Sequence, residues 1–150
     1  MSTVQDARRA LLALAATACP TAQAFLGPQP ALTAAEVVCI GDAEGDTAPV
    51  TLGPRREMEE RYEIALTISV TVPGTAEDQV TASDAAAAHL AAIDTALRQV
   101  PGENLAVPGV QLAMVAGRWS LTEHAAEETR GARNCTLTAA VAVRARYRLA

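Results

Sequence analysis

Lysine is absent from this 150-residue chain; all twelve basic residues are arginine. Isoleucine and asparagine are rare too, a pattern that fits codon bias in a high-GC genome, either a GC-rich bacterium or one of its viruses. The bias has a physical consequence, because a planar guanidinium pairs bidentately and loses less than an ammonium when brought into an interface. Aromatic side chains are confined to Phe25, Tyr62, Trp119 and Tyr147. Half of the residues are apolar, but much of that half is alanine. At roughly 25 cal/mol per Å² of buried apolar surface, such a core yields less than one rich in Phe and Trp. Stability supplied by a neighbouring subunit is therefore an expectation.

Cysteine is scarce, and no CxxC is present. Cys19, Cys39 and Cys135 are odd in number and widely spaced, which fits buried thiols in a reducing compartment better than a disulfide framework. Zinc prefers close ligand pairs, and His89 and His124 supply none. The chain also lacks a GxSxG elbow, a GxxxxGK[ST] loop and a GxGxxG after a strand. GDAEGD at residues 41–46 has neither the alternating ligand spacing nor the closing Glu of a calcium loop. No metal and no cofactor are expected. The net charge of −5 disfavours gripping a phosphate backbone, although DNA could pass without being held. No apolar run reaches the ~18 residues of a membrane span. LLALAATA, ahead of Cys19, is short, Ala-rich and preceded by Asp6, so it reads as a helix of the folded domain and not a signal peptide. A soluble protein without a membrane partner is expected.

What the chain does have is clear periodicity. Val4, Ala7, Leu11, Leu14 and Ala18 recur at helical spacing, which predicts a helix over residues 3–19 with Thr3 and Asp6 as a short capping box. Pro20 ends it. A weak strand follows at Thr21–Leu26, broken by GPQP, and a stronger one at Ala35–Ile40, closed by Gly41. Residues 41–56 read as a turn-rich loop. From Arg61 to Val72 the period is 2. Tyr62, Ile64, Leu66, Ile68, Val70 and Val72 share one face, while Arg61, Glu63, Ala65, Thr67, Ser69 and Thr71 share the other. At ~3.3 Å per residue this strand spans about 40 Å. Pro73-Gly74 stops it, and residues 76–99 form an Ala-rich helix with Thr75 as N-cap and a stripe of Ala86, Leu90, Ile93, Leu97 and Val100. His89 falls at the polar edge of that stripe.

A third major strand is expected at Val107–Leu121. A bulge near Gly117 would keep Val110, Leu112, Met114 and Ala116 on one face with Trp119 and Leu121. Residues 122–133 read as a polar hairpin connection that includes His124, and Cys135–Leu149 as the final strand, ending in Arg144, Arg146 and Arg148. The sum is a single α+β domain over residues 1–150, a mainly antiparallel β-sheet with two helices packed on it and long β-hairpins.

Catalysis finds no support in this pattern. Glu57, Glu59 and Glu60 lie among Arg55, Arg56 and Arg61, which would neutralise them, whereas a general acid needs a carboxyl held apart with a raised pKa. The chain reads as a non-enzyme.

The whole-chain order points elsewhere. An amphipathic helix leads to GPQP, AEVVCIGD, GPRREMEERYEIALTISVTVPG, AAAHLAAIDTALRQVPG, GVQLAMVAGRWSLTEH and a closing TLTAAVAVRARYRL. This resembles the tail terminator (tail completion) proteins of long-tailed, siphovirus-type bacteriophages of GC-rich actinobacterial hosts, over nearly the full chain. RREMEERYE and VRARYRL carry most of the likeness. The resemblance implies a structural subunit, made in the host cytoplasm, that forms a ring, usually a hexamer, at the head-proximal end of the virion tail. The ring would cap the tail tube and stop its polymerisation. It would also join the tube to the head-tail connector or stopper protein, with DNA passing through the lumen. It implies no catalytic residues.

Two groups of residues are expected to serve such a role. Arg55, Arg56, Glu57, Glu59, Glu60, Arg61, Arg144, Arg146 and Arg148 are candidates for a subunit or tail-tube interface, Arg55–Arg61 being read as an extension beyond the core. Asp42, Glu44, Asp46, Glu123, Glu127 and Glu128 are candidates for acidic loops facing the lumen or the tube. In a ring, opposite patches of successive subunits can meet. Two other readings stay open: another phage neck protein, such as a connector or stopper ring, and a small bacterial ligand-binding or enzymatic α+β domain.

Overall fold

The computed structural model describes residues 2–28, 34–50, 56–75, 77–125 and 132–149. Elements follow the order α1 (Val4–Ala18), β1 (Gln23–Leu26), β2 (Glu36–Pro49), β3 (Glu57–Pro73), α2 (Asp78–Gln99), a 3₁₀ turn at Pro101–Glu103, β4 (Val110–Ala125) and β5 (Ala132–Arg148). The strands form one sheet in the order β1-β2-β3-β5-β4. Among the described residues, only the β1–β2 pair is parallel. The fold is α+β, with two helices on a mainly antiparallel sheet, as the periodicity indicates.

β3 is the spine. It pairs along its whole length with β5, from Glu57↔Arg148 to Pro73↔Ala132, and with β2 on its other side. Its alternation decides which face is buried: Ile64, Leu66 and Ile68 are fully inaccessible, and Tyr62 and Val70 nearly so. They meet Ala7, Leu11 and Ala15 of α1 and Ala82, Ala86, Ile93 and Leu97 of α2 in one core. Alanine at the helix contacts lets the helix backbones approach closely. All three cysteine thiols are buried and unpaired, and burial pushes each thiol up from its ordinary pKa.

Several expectations are corrected. Residues 41–49 are not loop but the distal half of β2, paired with β3 from Ala43↔Ile64 to Pro49↔Met58 after a bulge at Gly41–Asp42. Two glycines permit this. A Cβ on Gly41 would press on Ala65, and one on Gly45 would drive into the Arg61 carbonyl and the Tyr62 backbone. β3 likewise starts at Glu57, so the charged prefix is integral strand and no free extension.

The capping assignments also change. Thr3 makes no side-chain cap to α1; its hydroxyl turns to Glu60 and Tyr62. α2 begins at Asp78, whose carboxylate accepts the Thr75 N–H at 2.7 Å. His89 lies on the buried face of α2, not at a polar edge. In β4 the register shifts twice, between Val110 and Leu112 and between Val115 and Trp119. Ala113, Val115, Trp119 and Leu121 therefore face the helices, whereas Leu112 and Met114 turn to the opposite side. β4 runs on to Ala125, so Glu123 and His124 are strand residues.

Candidate functional site

The sheet has two unlike faces. One carries both helices. The other carries Glu57, Glu59, Arg61, Glu63, Ala65, Thr67, Ser69 and Thr71 of β3, with their register partners from Arg148 to Asn134 of β5. At its β2 side Val37, Cys39 and Ser69 are buried. Towards β4 and the distal end of β2 it is exposed, and among the described residues no helix covers it.

Charge concentrates at one end of this face. Glu59, with a side chain only 11% exposed, is the hub. It accepts from Arg61 Nε at 2.7 Å, Arg144 at 3.1 Å and Arg146 at 3.2 Å. Arg148 pairs with Glu57 at 3.1 Å and Arg118 of β4 with Glu63 at 2.7 Å. The hydrogen bond from Arg61 first, then those from Arg144 and Arg146, hold the Glu59 carboxyl down at about 2, against some desolvation. Glu57 and Glu59 thus meet Arg144, Arg146 and Arg148 within one subunit. Glu60 takes no part in that face. It is buried on the helix side, accepting from the Thr3 N–H and hydroxyl at 3.0 and 3.1 Å.

A pH dependence follows from Glu59. Its folded pKa lies below the unfolded one, so its stabilisation is complete above the ordinary carboxylate range and disappears as pH falls from there toward about 2. Glu59→Gln is expected to be less stable than wild type at neutral pH, and the gap should close as the solution is acidified through that window. Parallel thermal melts across pH check this. A gap that does not change with pH would mean that the carboxylate does not carry the network.

The candidate acids are divided. Asp42, Glu44 and Asp46 line the distal half of β2 on strand and not on a loop. Glu44 and Asp46 share the charged face opposite Glu63 and Arg61. From Glu44 to Pro49 every residue of β2 is exposed. Glu123, in β4, accepts from the Ser83 hydroxyl of α2 at 2.7 Å. Arg55, Glu127 and Glu128 lie outside the described residues. Arg56 is exposed, and its carbonyl accepts the Leu149 N–H.

Two features escaped the sequence reading. Under α2, His89 Nε2 lies 2.7 Å from Glu36, which also accepts from the Thr21 hydroxyl at 2.8 Å. These contacts, that of Thr21 foremost, lower the Glu36 pKa and tie the turn before β1 to β2 and α2. The second feature is a groove of about 380 Å³ between α2 and β4, lined by Leu90, Ala91, Val115, Trp119, Leu121 and Leu137. Trp119 on its rim is 65% exposed. Among the described residues no three His, Cys, Asp or Glu side chains converge as a metal set, and no helix is long and apolar enough to cross a membrane.

No protein-family model matches the chain, and no curated protein matches it. Among solved structures, it is similar to a chain of the virion of a native gene transfer agent particle, at 18% identity and a TM-score of 0.45, over 94% of this chain and 91% of that one.

Proposed function

We propose that this protein is a non-enzymatic structural subunit of a long-tailed, phage-type virion and acts as its tail terminator. Copies form a ring on the finished end of the tail tube, stop its growth and offer a surface to the connector or stopper, while DNA passes through the lumen. The observation that supports this best is the two-faced sheet. A 17-residue strand, β3, is paired on both sides, yet much of one of its faces is given to charged and small polar residues with no layer over them among the described residues. A surface so ordered, whose Arg and Glu side chains neutralise one another, suits docking. Glu44 and Asp46, exposed on the distal half of β2, are acids that a passage for DNA, the tube or a neighbouring copy could meet.

The test is to mix purified protein with tail tubes and measure both particle mass and the position of the protein by electron microscopy. A ring seated on tube ends supports the proposal. Binding to the portal vertex instead would indicate a connector or stopper. A stable monomer that never binds tube ends would defeat the terminator reading. Reversing Arg55 and Arg56 to Glu should leave the melting temperature within a few degrees of wild type and weaken tube-end binding; Arg56 is exposed, and exposed substitutions cost little. Normal capping by that variant would remove the pair from the interface.

A further inference from the structure

We propose that the two open edges of this sheet are complementary, and that the outer edge of β4, with Trp119, docks the distal edge of β2, residues 42–49, of a second copy. The inference deepens the ring reading above by naming the contact through which one subunit holds the next.

Hydrogen-bond accounting comes first. β4 is the terminal strand, so the outer backbone groups of Val110–Ala125 have no strand partner among the described residues. β2 meets β1 only from Val37 to Ile40. The Gly41 carbonyl is taken by Arg8 Nε at 2.9 Å. Beyond it the outer side of β2 has no strand partner among the described residues, while its inner side is held by β3. Each subunit therefore offers two edges, and an exposed edge is a template for strand addition.

Shape and charge then select the pairing. The wide shift between Val115 and Trp119 sets the indole on the helix side, above the groove against α2. A large exposed ring needs small neighbours, and the helix-side positions of distal β2 are Ala43, Gly45 and Thr47. Pairing β2 with β2 of another copy would bring Asp42, Glu44 and Asp46 against their own kind, and pairing β4 with β4 would set Trp119 against Trp119 and Arg118 near Arg118. The mixed pairing instead places Glu44 and Asp46 beside Arg118, which is 81% exposed on its side chain and the only basic residue of β4 apart from His124. Like charges placed opposite destabilise a strand pair and unlike charges favour it. Because the two edges differ, the contact is heterologous and repeats from copy to copy, closing a ring where the rotation allows.

Trp119 is the sole tryptophan, so its emission reads this edge alone. Sedimentation velocity and Trp119 fluorescence are followed together from about 1 µM to about 1 mM protein, the span of weak to moderate affinities. Mass is expected to rise and Trp119 emission to shift to the blue over the same concentrations. Arg118→Glu and, separately, the double change Glu44→Arg with Asp46→Arg should each move the association midpoint up by about tenfold, corresponding to roughly 1.4 kcal/mol. Mixing the two variants should restore it. Association with unchanged emission, failure of the mixture to recover, or no association at all would overturn the edge pairing. Tube-end capping by the wild-type protein, measured beside its self-association, separates the two ideas. Capping without edge pairing sinks only this inference, and edge pairing without capping sinks only the terminator.

Discussion

Leu66→Ala is expected to lower the unfolding free energy by about 3–4 kcal/mol, within the range for a buried leucine truncated to alanine. Leu66 is fully inaccessible, and its register partners are Ile40 on one side and Ala139 on the other. The usual escape from such a cavity is collapse of neighbouring side chains into it. Here Ala7, Ala15, Ala82 and Ala86 of the helices have no rotamers to swing inward, which leaves Leu11, Ile93 and Leu97 to relax. The void should persist in part, and the penalty should sit near the middle of the range. For a domain of this size the melting temperature should drop by roughly 6–16 °C. Thr67→Ala, one residue along on the opposite face, should change stability by less than about 0.5 kcal/mol. Thermal and urea unfolding followed by circular dichroism give both values. A loss below about 1 kcal/mol for Leu66→Ala would mean that the alanine-lined core relaxes in a way its side chains do not suggest.

Elements governed by local periodicity were legible in the sequence. The faces of β3 follow from strict alternation of Tyr62, Ile64, Leu66, Ile68 and Val70 with polar residues, and both helices follow from apolar spacing. Distal β2 was not legible, because Gly41, Asp42, Gly45, Asp46 and Pro49 all disfavour a strand intrinsically. What makes it one is the ladder offered by β3, a tertiary term absent from any local window. The orientation of Leu112 and Met114 was lost for a related reason. Two register shifts in β4 reset which parity faces the helices, and the shifts depend on β5.

The charged clusters were visible as clusters, but not their meeting. Glu59 finds Arg144 and Arg146 only because β3 and β5 pair in one register. His89 gave no sign of its partner, since Glu36 lies on another element, far along the chain. Sequence patterns thus located the candidate surface residues, while the register decided which of them pair within the subunit and which, like Glu44 and Asp46, remain available to a neighbour.

Glu60→Ala is the substitution on which surface and core readings of the charged prefix part most sharply. A surface carboxylate removed from an exposed strand end should cost little stability and weaken assembly. The structure predicts the reverse. Glu60 is 5% exposed and Thr3 likewise. The Glu60 carboxylate accepts the backbone N–H of Thr3, at the N-terminus of α1, where negative charge is favoured by the helix dipole. It also accepts the Thr3 hydroxyl, whose oxygen lies 2.9 Å from the Tyr62 hydroxyl. Burial pushes the Tyr62 phenol up, so it keeps its proton and can donate to Thr3. Alanine would leave the Thr3 N–H without its acceptor in a buried site and empty the volume of the carboxylate. An orphaned buried donor costs about 1–3 kcal/mol, and with the lost charge-assisted bonds the expected loss is roughly 2–3 kcal/mol. Glu60→Gln retains an acceptor oxygen and should recover much of it. The damage should be local as well as global. Amide hydrogen exchange in the first turn of α1 should accelerate in Glu60→Ala before the centre of β3 is affected, because only the helix terminus loses its anchor. Unchanged stability and unchanged exchange, with impaired ring assembly, would return Glu60 to the surface and undo the placement of α1 on the sheet.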